Sequence, residues 1–297
     1  MRQGQRPDEI LVVDSGSSDA TVAIASAFPT TIVHVEPDDF SFGAACNAGC
    51  EAATGDIVVF VSAHCYPVYD GWLECLCEPF DDEAIACSYG RQIAPPEARF
   101  SEQRLFARWY PSTPAHPQFD PFCNNANAAI RRSVWEDHLR YDERLTGLED
   151  LDWAKRAIAR GYALSYVPDA PVVHVHEESV SEVVNRYRRE AIAHRQIYGD
   201  QAIGAAHAIQ LASAHIVRDY AAARASGKLW DNLADIPRFR LAQFYGTYRG
   251  FAQIGPIPDV LRRRFFYPDG RRRRPEPESP VRGASVDYDR PLDPSEL

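Results

Sequence analysis

The residues able to do bond-making chemistry fall in short clusters, each beside an apolar run. In Val12-Val13-Asp14-Ser15-Gly16-Ser17-Ser18-Asp19, a carboxylate follows a buried-strand pattern. At such a strand end Asp14 can accept hydrogen bonds from a base or ribose, and the Ser and Gly amides can meet anionic groups. The same residues can also simply turn the chain and cap a helix, which suffices for Asp19. In Val61-Ser62-Ala63-His64-Cys65-Tyr66-Pro67, the imidazole of His64 can bind a divalent ion, or serve as a polar turn residue ahead of Pro67. Glu149, Asp150 and Asp152 open a helix, whose dipole favours the ionised form that a general base needs. First-turn charge complementarity explains such acids as well, and accounts for Asp152 without more. His174 and His176 alternate along a strand and so share one face, where they can hold a metal or phosphate, or face solvent at an edge.

The elements that must position these clusters are legible as apolar periodicity. Residues 10–13, 31–35 and 56–62 read as strands. Helices lie between them, one with Val22, Ile24, Ala25 and Phe28 as apolar positions, the next completed over 47–53 and stopped by Gly55. That alternation predicts an α/β domain on a parallel sheet. Further on, 72–80 reads as a helix, 84–92 and 126–131 as strands, and 149–160 as a helix closed by Gly161. Residues 164–167 and 172–176 are strand-like. Residues 93–122 mix Pro, aromatic and polar residues without a clear period, the pattern of a functional loop with short helices. From Ser179 the period turns helical: a first helix from Val180 broken at Gly199, then 205–225 and 236–251. Beyond Tyr267 the Arg, Pro, Glu and Ser content predicts disorder.

Composition narrows the partners. The chain has 297 residues and a net charge of -10, which argues against a nucleic-acid partner. Its arginines cluster late, at Arg262-Arg263-Arg264 and from Arg271 to Arg274. The seven cysteines are odd in number and lack metal-ligand spacing, so reduced, mostly buried thiols in the cytoplasm are expected. Neither a signal peptide nor an apolar run long enough to cross a bilayer is seen. Residues 261–267, LRRRFFY, can rest on an anionic membrane surface, giving peripheral contact at its inner face, or pack their aromatics on the catalytic domain.

Taken in order, the clusters resemble the family 2 glycosyltransferases of GT-A type, particularly bacterial rhamnosyltransferase-like members. The resemblance runs from about Asp8 to about Ser179. It is carried by EILVVDSGSSDAT, FGAACNAGCEAATGDIVVFVSAHCYP, NNANAAIRRSVWED, YDERLTGLEDLDWAKRAIARGY and VVHVHEES. It implies an α/β fold with a GT-A-like, mostly parallel sheet flanked by helices and a C-terminal helical extension. It implies that Asp14, with Ser15, Gly16, Asn47, Ser62, Ala63 and Asn127, binds the nucleotide sugar. Asp150 matches the catalytic base, with Glu149 beside it. Ser62 and His64 occupy the two acidic places of the family's Asp-x-Asp motif, and His174 or His176 matches a late histidine that assists the metal or diphosphate. His64, His174 and His176 are thus the expected ligands of a divalent cation, Mn²⁺ or Mg²⁺. The implied reaction is inverting transfer from a nucleoside-diphosphate sugar to a hydroxyl of a glycan or lipid-linked acceptor.

The family opens with a strand and helix ahead of its counterpart of residues 10–13, whereas nine residues precede Ile10 here. The expected organisation is a glycosyltransferase domain over 1–178 lacking that opening, a helical extension over 179–267 and a tail over 268–297. The altered metal motif keeps open a second reading, a non-catalytic protein that binds a nucleotide sugar or scaffolds a partner. A nucleotidyltransferase would need an early Gly-rich basic loop, which is not seen.

Overall fold

Strand β1 (Leu11–Asp14) and strand β2 (Thr31–His34) form a parallel two-stranded sheet, with Leu11 opposite Thr31. The short helix α1 (Thr21–Ala25) connects them. These and all later statements concern residues 6–199 and 202–255, with Ile257, Leu261, Phe265 and Phe266, which the computed structural model describes. Helix α2 (Phe42–Ala52) packs on β1 and starts at Ser41, whose hydroxyl accepts from the Ala44 amide at 3.0 Å. That bond satisfies one of the open amides of a helix start. The Glu9 carboxylate accepts from the Thr54 hydroxyl at 2.9 Å and from the Thr54 and Gly55 amides. It ties the approach to β1 to the turn after α2.

The larger sheet contains β3 (Ile57–Val61), β4 (Cys65–Pro67), β5 (Ile85–Ile93), β6 (Ala115–Gln118), β7 (Asn127–Arg131) and β8 (Ala163–His174). Its order is β3-β7-β5-β8-β4, with β6 also paired to β8. The GT-A-like α/β class holds, but the expectation of a mostly parallel sheet does not. Only β5 and β8 pair in parallel in this sheet; β7 runs antiparallel between β3 and β5, and β4 and β6 run antiparallel to β8. Apolar content shows that strands are buried, and carries no direction.

Two further expectations change. The strand-like pieces 164–167 and 172–176 belong to one strand, β8, which ends at His174. Pro168 and Pro171 lie where its register with β5 shifts, an irregularity that accommodates residues with no amide proton to donate. The stretch 93–122 contains a helix, α4 (Phe100–Trp109), in line with the short helices expected there, but also the strand β6. Its helical period was obscured because α4 buries Ser101 and Glu102 along with Phe106. The remaining helices are α3 (Trp72–Cys77), followed by a 3-10 turn over Glu78–Asp81, then α5 (Arg132–Glu136) and α6 (Glu149–Ala159). Trp153, Ile130, Leu139 and Leu164 are fully buried at the centre.

Of the helices α7 (Val180–Tyr198), α8 (Ala205–Ala225) and α9 (Asp235–Phe251), α9 packs on both others, and α8 and α9 pack on α4. Gly246 and Gly250 let α9 approach α7 closely: a side chain at either would run into the carbonyl of Val184 or Arg188. The joint with α4 is polar. Buried Asp219 accepts from Arg240 Nε at 2.7 Å, Arg104 Nε at 3.0 Å and the Ser101 hydroxyl at 2.7 Å.

Among the described residues no helix is long and apolar enough to cross a membrane. Arg262–Arg264, Tyr267 and the expected tail over 268–297 lie outside the described residues. Phe265 is buried, and the Phe266 ring meets Phe40 and Phe42 edge-on at 5.4 and 5.5 Å, so this aromatic pair faces the domain. All seven cysteines are free thiols, but Cys50, Cys87 and Cys123 alone are buried and the other four are partly exposed, so the expectation of mostly buried thiols does not hold.

Candidate active site

Asp150 lies in the first turn of α6, behind a residue in an unusual conformation. Leu148 has φ 57°, in the left-handed region that costs an L-residue about 1–2 kcal/mol. The turn aims both acids inward, and Glu149 and Asp150 are 8% and 7% exposed. Asp150 Oδ1 accepts from the Leu151 amide at 2.7 Å and Oδ2 from the Asn125 amide at 3.2 Å. Burial nonetheless raises Asp150 above the ordinary carboxylate range, against those two hydrogen bonds. Burial and the charge of Asp150 raise Glu149 as well. The helix start therefore does not hold the pair at ordinary values, as first-turn placement alone implies; desolvation outweighs it. Both carboxyls are thus held above the ordinary range, and the pair is harder to ionise than either acid at a surface.

The imidazoles are assembled by strand pairing. Strand β4 runs antiparallel to β8 with Cys65 opposite His174, and the Val175 amide donates to the His64 carbonyl at 3.0 Å. His64 is thereby brought against both late histidines. Ring centroids lie 4.7 Å apart for His64 and His174, 4.1 Å for His174 and His176, and 5.8 Å for His64 and His176. One nitrogen from each ring falls within 4.8 Å of the others, the spacing of ligands around one ion. Burial, then the neighbouring rings of His176 and His64, push His174 down to about 2, so it is a neutral imidazole. Its Nε2 is buried with no hydrogen-bond partner. A buried lone pair left over in this way, beside two more imidazoles, fits a divalent transition-metal ion. His176 Nδ1 lies 2.7 Å from a carboxylate oxygen of Glu102, the arrangement that orients a metal-binding ring.

The other expected residues divide. Asp14 is buried at the end of β1, and its carboxylate accepts from the Gly16 and Ser17 amides at 3.1 and 3.2 Å. The Ser17 hydroxyl is the main influence that holds it below the usual range, against burial and helped by those amides. Gly16 turns the chain with φ 89°, next to partly exposed Ser15. Ser62 and Ala63 form the turn between β3 and β4, closed by the Cys65 amide donating to the Ser62 carbonyl at 2.8 Å. The Ser62 hydroxyl sits 3.3 Å from His64 Nδ1.

Asn47 and Asn127 are corrections. Asn47 is 3% exposed; its amide donates to the Tyr141 carbonyl and to Glu143, and its oxygen accepts from Trp135 and the Tyr141 amide. Asn127 is fully buried, donating to the Arg91 and Ala170 carbonyls and accepting from Trp72. Neither has a polar atom left for a ligand. Both lock the framework, because buried amides must be satisfied from within.

Several site residues were missed in sequence. Asn124 and Asn125 are adjacent and serve the two halves of the site. The Asn125 amide holds Asp150, while the Asn124 side chain accepts from Gln92, which contacts His174. Glu190 on α7 is close enough for its charge to act on Asp150 and Glu149, and for His176, Arg186 and Arg189 to act on it. Arg186 also reaches Glu102 and Glu178. The available signal was charge on an apolar stripe: Arg186 and Glu190 follow Val183 at helical spacing, where a surface helix carries apolar residues.

Residues 1–139 match the family described as Glycosyl transferase family 2. The O-antigen chain rhamnosyltransferase WbaN of Salmonella anatum is 29% identical over 205 residues, covering 65% of this chain and 64% of that protein. The O-antigen chain rhamnosyltransferase RfbN of Salmonella typhimurium is 28% identical over 201 residues, covering 63% of each. The chain thus spans slightly less than two thirds of the length of these relatives. The mannosyltransferase PcManGT of Pyrobaculum calidifontis, solved with GDP-Man and Mn²⁺, shares the fold at a TM-score of 0.55 and 18% identity, over 91% of this chain and 81% of that one. Residues 1–139, just under half of the chain, thus match glycosyltransferase family 2, and the fold is of GT-A type.

Proposed function

We propose that this protein moves a sugar from a nucleoside-diphosphate donor to an acceptor hydroxyl with inversion at the anomeric carbon, the acceptor being a glycan or a lipid-linked intermediate. The observation that carries the reading is the Asn124-Asn125 step, which joins a buried, oriented carboxylate to a three-imidazole cluster. Asp150 takes the proton of the acceptor hydroxyl. The freed oxygen bonds to the anomeric carbon from the side opposite the diphosphate, and the bond from that carbon to the diphosphate breaks. The leaving group departs with a negative charge. His64, His174 and His176 would hold a divalent cation, which neutralises charge on the diphosphate when bound. Imidazole donors favour Mn²⁺ over Mg²⁺, a harder ion that prefers oxygen. Asp14 and the Ser15-Gly16 turn would receive the nucleoside. The late residues of α4 would meet the acceptor: Trp109, 52% exposed, stacks on Phe122 at 5.2 Å and offers an aromatic face to a sugar ring.

A screen of UDP-, dTDP- and GDP-sugars by calorimetry, with rhamnosyl donors included because of the relatives' names, tests the reading directly. One donor is expected to bind more tightly with Mn²⁺ than with Mg²⁺ and to be hydrolysed slowly without acceptor. Binding of none would favour a scaffold protein instead. The pH profile gives a second check. The base must be ionised, and Asp150 is raised by burial and by Glu190. Activity should therefore fall on the acid side at a pH above the ordinary range of an aspartate. Glu190→Gln removes a negative neighbour and should move that limb to lower pH; an unmoved limb would separate Glu190 from the base.

A further inference from the structure

The orientation of His174 is set from outside the cluster. Within the turn after Phe122, the Ala126 amide donates to Asn124 Oδ1 at 3.0 Å. A backbone amide is a donor without ambiguity, so the Asn124 atom facing it is the oxygen. The same oxygen lies 3.0 Å from Gln92 Nε2, and that contact is a hydrogen bond only with the Gln92 amide group donating. Gln92 then has only its carbonyl oxygen to offer to His174 Nδ1, 2.6 Å away. An oxygen with no proton requires a protonated Nδ1. His174 Nε2 is buried without a partner, so a proton there would have no acceptor; the ring proton therefore sits on Nδ1 and Nε2 is the bare nitrogen. Gln92 is 2% exposed, on β5, the strand beside β8, and Gly90 two residues earlier leaves no space for a side chain beside Asn127 and the Ala170 carbonyl. The relay thus rests on a tightly packed strand segment rather than on a loop.

We infer that Gln92 and Asn124 are positioning residues that lock His174 in the Nδ1–H tautomer and so keep its Nε2 available as a metal ligand. Nothing in the relay is charged, so it fixes the proton without adding charge to the cluster. The consequence for metal binding rests on the cation site proposed above; the tautomer does not.

The test is long-range ¹H–¹⁵N NMR of the histidine rings in metal-free, ¹⁵N-labelled protein, with His174→Gln to assign the signals. Wild-type His174 is expected to show a protonated Nδ1 and a bare Nε2; an Nε2–H signal overturns the inference without any variant. In Gln92→Leu the Nε2–H form should appear, and Mn²⁺ affinity read by EPR should fall about 10–100-fold. Gln92→Glu keeps an acceptor at the same place and should retain the Nδ1–H form and most of the affinity. Gln92→Leu with an unchanged tautomer overturns the inference. Wild-type protein that shows the expected tautomer but binds no Mn²⁺ supports it, while removing the cation site from the proposed function.

Discussion

Replacing Asp150 by Asn is expected to lower sugar transfer by about 10²–10⁴-fold, the usual contribution of a positioned general base. Donor binding should be intact. The amide has nearly the shape of the carboxyl and keeps one oxygen for the Leu151 or Asn125 amide, but cannot take a proton from the acceptor. Removing a carboxyl that burial already disfavours as an anion places no new charge in the interior, so the fold should persist. Diphosphate release measured with saturating acceptor, beside calorimetric donor binding, separates the two effects. Retained turnover would end the assignment of Asp150 as base. Loss of donor binding in step with turnover would move its role to the substrate side.

Asp219→Ala is expected to cost about 3–5 kcal/mol of stability, the penalty for stranding a buried charge. Arg240 is 2% exposed and would lose its carboxylate, along with the acceptor shared by Arg104 and Ser101. Against a net stability of about 5–15 kcal/mol for a domain, the change is large. Urea unfolding reads it, and a loss under about 1 kcal/mol would show that the network is not what holds α4 to α8 and α9. The effect should reach the site, since α4 carries Glu102 to His176. Mn²⁺ affinity should drop along with stability. The pH dependence has a definite sign. Burial opposes ionisation of Asp219, but hydrogen bonds from Arg240 and Ser101 and the Arg240 charge bring its carboxyl below the ordinary value. Its contribution is thus full above the unfolded-state pKa and is lost as pH falls through the lower folded value.

The clusters around Asp14, His64, Asp150 and His174 were legible because each follows a strand or opens a helix, and apolar periodicity marks those ends. The helices α6 to α9 were legible for the same reason, to within a few residues. Asn47 and Asn127 misled because an amide in a motif looks alike whether it binds a ligand or locks a framework. Only their complete hydrogen bonding separates the two. Short helices were expected within 93–122, but α4 was not placed there because its buried face is polar, and Glu102 escaped with it.

The sequence by itself determined which side chains are present and which elements carry them, since both follow from residue type and local period. It also set His174 and His176 two residues apart, but β8 ends at His174, so strand alternation does not fix their shared side; their rings meet at 4.1 Å beyond the strand end. Tertiary structure alone decided that His64 meets them, through the pairing of β4 with β8. It decided that β7 runs antiparallel in a sheet of buried strands, because burial has no direction. It decided that Asp150 is raised rather than held low, because desolvation depends on what covers a group and not on its neighbours in the chain. And it decided which nitrogen of His174 is bare, through contacts with Gln92, 82 positions away in the chain.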